Sequence, residues 1–211
     1  MSVPQSNART STGWRTIVFK NRGLLLVPVA LVLVIFGRPT LINAITGIAI
    51  AVVGELLRIW AVGYAGVTTR ANVVTAPTLV TAGPYAYTRN PLYIGNTIIA
   101  LGFWLGFSGG LPILESALML AFVVLMVAGV YATIIPLEEA YLIETFGAPY
   151  RDYLARVPRI IPTRGPLPGS MRLGTWRPDV ILRAEIITLL LFGLVVAALL
   201  AKLSWFEKHA P

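Results

Sequence analysis

The chain has 211 residues, 56% of them hydrophobic and only 12% charged, with a mean hydropathy of +0.77; a soluble domain carries about a quarter charged residues, so this is a membrane protein, with room for about five spans of roughly 20 residues each. It has no cysteine and one histidine, His209 near the end, which removes thiol nucleophiles, disulfides and Cys/His zinc sites, leaves a Ser-His-Asp triad only to a folded-back tail, and leaves no metal site to expect. The net charge of +8 reads as basic residues flanking spans on the cytoplasmic side, not as nucleic-acid binding.

In chain order, Arg9, Arg15, Lys20 and Arg22 precede a first apolar run over residues 23–36, and Arg38-Pro39 offers no small-residue cleavage site, so a retained span is expected rather than a signal peptide. Four residues, 37–40, separate it from a second run over 41–66, and so short a turn predicts a helical hairpin. Residues 67–90 form a long polar loop beside the membrane, the kind of connection that usually carries function. Pro91 suits the first turn of a third span, 91–107, which ends at Ser108-Gly109-Gly110. A fourth span over 111–135 continues past Pro136 into a stretch with Glu138, Glu139 and Glu144, where the helix leaves the membrane before Gly147. Tyr150, Tyr153, Leu154 and Val157 recur at helical spacing and predict a short interfacial amphipathic helix. An irregular stretch with prolines and arginines leads to a fifth span, 181–203, with Lys202, Trp205 and Lys208 as interface anchors.

The whole chain, 1–211, reads as a single all-α integral membrane domain with an interfacial cytoplasmic segment over 137–179. Placing the N-terminus inside puts both polar segments, with most of the arginines, on the cytoplasmic side of a multi-pass protein of the inner membrane. The Gly102/Gly106 pair, and the weaker Gly47/Ala51 pair, are explained by close helix packing. Glu55 and Arg58 lie inside the second span at a cost of about 2.5–3.5 kcal/mol each at a helix centre, and two readings stand: a neutralised pair on one helix face, or an Arg58 that lines a polar pocket. Glu115, near the outer end of the fourth span, reads as snorkelling or solvated.

Two segments meet at one membrane face. The stretch Gly83-Pro84-Tyr85 through Arg89-Asn90-Pro91-Leu92-Tyr93-Ile94-Gly95 resembles the G-P-Y-x-x-x-R-[H/N]-P-x-Y-x-G signature of the isoprenylcysteine carboxyl methyltransferase and phospholipid methyltransferase superfamily. Glu138-Glu139, Leu142, Phe146-Gly147, Tyr150, Tyr153 and Val157-Pro158 resemble its C-terminal signature at matching spacing. The resemblance covers about half of the chain, from near Gly54 to near Pro162.

It implies an enzyme that takes S-adenosylmethionine at the cytoplasmic face and methylates a lipophilic or prenylated acceptor arriving from the bilayer. The cofactor pocket would be built by the loop before the third span and the segment after the fourth. Leu79, Val80, Gly83 and Tyr85 would line it, Arg89, Asn90 and Tyr93 would close it, and Glu138 and Glu139 would face it. Carboxylates suit the cationic and hydroxyl groups of that cofactor, and arginines suit its carboxylate. Asn90 stands where many members have histidine and cannot shuttle a proton near neutral pH, so it is expected to orient; Glu139 or Glu138 would serve if a base were needed. Arg151, Arg156 and Arg159 suit anionic lipid, and Arg159 is the choice for an anionic substrate head. The acceptor is first the carboxylate of an isoprenylcysteine-like compound and second a phospholipid amine. An NADPH-dependent sterol-reductase-like enzyme and a transporter using Glu55 and Arg58 are the rivals.

Overall fold

Among the described residues, four helices are long and apolar enough to cross a membrane, and they follow the hydropathy pattern closely. The computed structural model describes residues 27–66 and 78–209. Among these every regular element is helical: α1 (Val27–Phe36), α2 (Leu41–Ala65), α3 (Pro91–Ser108), α4 (Ile113–Phe146), α5 (Ala148–Arg156) and α6 (Ile181–His209), with short 3-10 turns and no strand. The first expected span begins before the described residues. Its described part, α1, is ten residues long, shorter than the roughly 20 a span needs. The basic residues expected ahead of it, and the part of the polar loop over 67–77, also lie outside the described residues.

The expected hairpin of the first two helices is corrected. The turn after α1 is as short as the spacing demanded, but α1 rests mainly on α3, α4 and α6 rather than along α2. The physical reason is that the turn is tied to the far end of α3: the Arg38 amide donates to Phe107 O at 2.7 Å, and the Gly110 amide donates to Arg38 O at 2.7 Å. Lys202 of α6, expected as an interface anchor, donates to Val34 O and Ile35 O in the last turn of α1.

The closest packing runs between α2 and α3, and it is made by glycine. A Cβ added at Gly47 would lie 2.5 Å from Gly102 O and from Gly106 N, and one at Gly54 would lie 2.6 Å from Gly95 O. The two small-residue pairs seen in the sequence are therefore the two sides of one seam, where van der Waals contact between backbones does the work that hydrophobic exclusion cannot do in lipid. Elsewhere the core is aliphatic and aromatic, with Leu33, Phe107, Val123, Ile134 and Leu199 essentially inaccessible.

At the end of the bundle where α3 begins, α4 runs unbroken through Pro136 and projects its last turns beyond the apolar region. Gly147, at φ +60°, ends it and turns the chain into α5. The helical spacing expected for α5 holds, but Tyr150, Tyr153 and Val157 face protein, not headgroups: they are buried with Ala86 and Leu167. The proline-rich stretch that follows is a strap along the loop before α3. Leu173 O accepts from the Thr81 and Ala82 amides, Ala86 O from the Leu167 amide, and Gly63 O from the Arg177 amide.

Candidate active site

Residues 88–90 form a clamp on the chain just after α5. Pro91 occupies the first turn of α3, so Asn90 sits at the cap position, yet its side chain does not cap the helix. Asn90 Nδ2 donates instead to Arg159 O at 2.9 Å, a carbonyl that also accepts from Thr88 Oγ1 at 3.2 Å. The Arg89 amide donates to Pro158 O at 3.0 Å, and Arg89 Nη1 donates to Leu154 O and Val157 O, both at 2.9 Å. Three consecutive residues of the first motif thus hold the backbone of the second.

Their side chains converge on one carboxylate. Glu139, in α4 and buried, accepts from Arg89 at Oε1, with Nη2 at 2.9 Å and Nε at 3.0 Å. Arg159 binds the same group side-on, through Nε to Oε1 at 3.2 Å and Nη2 to Oε2 at 2.5 Å. Hydrogen bonding to Glu139 raises the Arg159 guanidinium above its ordinary value, so it is cationic at every accessible pH. Two arginines and one glutamate leave a net positive charge. Arg89 is nearly enclosed, whereas the Arg159 side chain is 52% exposed, so the surplus is presented there. Its Nη1 edge makes no hydrogen bond among the described residues and leaves a fork of N–H donors open, the geometry that matches a carboxylate.

The other site residues lie around this junction without joining it. Tyr85 is held by its carbonyl, which accepts from Tyr153 Oη at 2.7 Å. Burial, and then the charge of the Glu138 carboxylate, push the Tyr85 hydroxyl well above the usual phenol range, so it stays protonated. Gly83 has φ +60°, and a Cβ there would run into the Tyr64 ring, so its glycine is required by backbone and packing. Leu79 packs on the Ala86, Tyr150 and Tyr153 cluster, and Val80 lies against Gly174 of the strap. Glu115 is exposed.

Deeper in the bundle lies a second ionic group. Arg58 Nη2 reaches both oxygens of Glu185, each at 2.7 Å, Nη1 donates to Asn96 Oδ1, and Glu55 stands 3.5 Å from Nε. The expected Glu55–Arg58 proximity is present, but the stronger partner is Glu185 of α6, which the sequence reading missed. Its signal was available: a lone acid in an apolar span is expensive unless partnered. The turn over 83–86 packs on α2, the helix that carries Arg58.

Between α3 and α4 a cleft of about 460 Å³ runs outward into the apolar region, and its walls include Tyr93, Thr97, Ala128, Tyr131, Ala132 and Arg159. Tyr93 and Tyr131 pack with ring centroids 4.4 Å apart. Tyr93 therefore lines the cleft.

Residues 47–144 match the isoprenylcysteine carboxyl methyltransferase family. The chain is 38% identical over 84 residues, 40% of its length, to the protein-S-isoprenylcysteine O-methyltransferase of Schizosaccharomyces pombe, covering 33% of that protein. It is 33% identical over 116 residues, 55% of its length, to the cobalt-zinc-cadmium resistance protein CzcN of Cupriavidus metallidurans, covering 46% of it. The chain thus spans less than half the length of either relative. No solved structure matches.

Proposed function

We propose that this multi-pass membrane protein, with the isoprenylcysteine carboxyl methyltransferase match over residues 47–144, transfers a methyl group from S-adenosylmethionine to the carboxylate of an isoprenylcysteine-like lipophilic acceptor. The observation that carries the reading is the Glu139 junction, in which Arg89 of one motif and Arg159 just after the other share one buried carboxylate and leave a cation exposed. A carboxylate acceptor finds its counter-ion there, whereas an ammonium acceptor meets repulsion.

The donor set fits a cofactor that carries a sulfonium, an ammonium and a carboxylate. Glu138 would supply an acceptor and the protonated Tyr85 a donor, with Gly83, Leu79 and Val80 on the same loop as Tyr85. When bound, the cofactor supplies an activated methyl: one C–S bond breaks, one C–O bond forms, the sulfonium charge is discharged, and no proton is released. No base is needed for an ionised acceptor, so the protein's part is orientation and exclusion of water. Glu139, with both oxygens committed to arginines, fixes Arg159, and Arg159 holds the acceptor. Asn90 orients by fixing the Arg159 backbone. The arginine-rich motif side is assigned to the cytoplasm of an inner membrane by the positive-inside rule.

Calorimetric titration of detergent-purified protein with S-adenosylmethionine and with NADPH tests this directly. Saturable binding of the methyl donor alone, lost in Glu138→Ala/Glu139→Ala, is expected. Folded wild-type protein that does not bind the donor would end the methyltransferase reading. Labelling cysteines placed at Ser170 and Ser204 from one side checks the orientation; the two should be reached from opposite sides.

A further inference from the structure

We infer that the outer face of the strap, together with the first turn of α6, is a docking surface for the anionic phospholipid headgroups of the protein's own membrane; this is independent of the proposed methyl transfer. Between residues 153 and 183 the chain carries six arginines, no lysine and one acid, Asp179. That acid is already held by Arg177 at 2.9 Å, so the strap does not neutralise its own charge. Arg172 donates from Nε to Leu167 O at 2.7 Å, which orients the guanidinium, and neither of its Nη atoms makes a hydrogen bond among the described residues. Arg183 lies exposed in the first turn of α6 and makes no hydrogen bond or ion pair among them.

Depth selects the partner. A Cβ at Gly63 would run into the Trp176 ring, and the Arg177 amide donates to Gly63 O at 2.8 Å, so the strap lies against the last turn of α2. It then runs on into α6, and both helices are long and apolar enough to cross a membrane. The strap is therefore level with the ends of two spans, where hydrocarbon gives way to headgroups. At that level Leu173 and Trp176 are 49% and 44% exposed, interleaved with Arg172 and Arg177, and tryptophan is the residue enriched at membrane interfaces. A guanidinium offers phosphate two parallel donors where an ammonium offers a point charge, so arginines without lysine suit a phosphodiester. A soluble acidic partner would match the charge but has no reason to sit at this depth.

The chain has no cysteine, so Thr175→Cys, at an exposed position of the strap, carries a single environment-sensitive fluorophore. The full-length labelled protein is placed in nanodiscs of phosphatidylcholine with a rising fraction of phosphatidylglycerol. The expected result is an emission that moves to shorter wavelength as phosphatidylglycerol is added and moves back in high salt, which screens exposed charges. In Arg172→Gln and in Arg183→Gln the fraction needed for half of the shift should rise about fivefold, the worth of one basic residue beside an anionic leaflet. Should Arg172→Gln misfold through loss of its bond to Leu167 O, Arg183→Gln, which breaks no internal bond, carries the comparison. A label that ignores phosphatidylglycerol, or one that responds equally in wild type and Arg183→Gln, would overturn the proposal. A shift already complete in phosphatidylcholine alone, with self-quenching between labels, would overturn it too and give the surface to a second copy of the chain.

Discussion

Two arginine–glutamate networks lie a loop apart in this protein, and they are built for different ends. Around Arg58, one arginine meets Glu185 and Glu55, all three of them buried, and the partners come from α2 and α6. Around Glu139, one carboxylate meets two arginines, and one of these keeps half of its side chain in the open. The first arrangement joins spans that have few other polar contacts. The second presents a charge. Exposure and charge surplus, rather than the presence of an ion pair, separate a group that holds the fold from one that can hold a ligand.

The largest expected effect breaks the deep network. Glu185→Ala leaves Arg58 buried without its bidentate partner, and removal of one member of a buried pair costs about 3–5 kcal/mol. A clear fall in melting temperature in detergent is expected, and Arg58→Met/Glu185→Leu should recover most of it, because an apolar pair has no charge left to strand. A Glu185→Ala protein as stable as the wild type would show that the deep network contributes no structure.

At the exposed network the effect should fall on acceptor kinetics, not on melting. Arg159→Ala removes a charge-assisted bidentate contact of about 1.5–3 kcal/mol, roughly 10–100-fold in acceptor kcat/KM, with donor affinity and melting temperature unchanged. Equal losses for donor and acceptor would place Arg159 on the cofactor instead. Asn90→Asp is the finer version: it removes the amide that donates to Arg159 O and sets an anion against that carbonyl, so acceptor kcat/KM should fall about tenfold. Asn90→His, which keeps a ring N–H donor, should retain most of the activity. A new pH limb near 6–7 in Asn90→His, with cofactor affinity kept, would mean that this position moves a proton.

Much of this arrangement was legible in the residues. Hydropathy placed the long helices because a membrane span has to satisfy its backbone internally and cover itself with apolar side chains. The glycine pairs announced a close seam, although not that they face each other. Glu139 and Arg159 were legible as a pair of roles but not as a contact, since a residue on α4 and one past α5 are brought together only by the bend at Gly147. Three things could not be read. The bonds from Arg38 to the end of α3 redirect α1, the strap pairs its backbone with the loop without any side-chain pattern, and Asn90 spends its amide on a distant carbonyl while sitting where a helix cap would be. Each is a hydrogen bond to a main-chain group of a segment far apart in sequence, and main-chain groups are the same at every residue.

The smallest effect probes the link between the two networks. Tyr153 Oη donates to Tyr85 O at 2.7 Å and so ties α5 to the turn that packs on α2, the helix of Arg58. Tyr153→Phe should cost about 1 kcal/mol, the net worth of one hydrogen bond. Burial, first of all, raises the phenols of Tyr85, Tyr150 and Tyr153 above the ordinary value of about 10. The folded state therefore binds these protons more tightly than the unfolded one. Their contribution is complete below about pH 10 and is lost as the pH rises from there towards the folded values. Wild-type melting temperature should accordingly hold up to about pH 10 and decline beyond it, and Tyr153→Phe, with one fewer phenol to ionise on unfolding, should decline less steeply. If both proteins lost stability at the same rate, the Tyr153 hydroxyl would have to be open to water, and the loop carrying Tyr85 would be held by its backbone bonds to the strap alone.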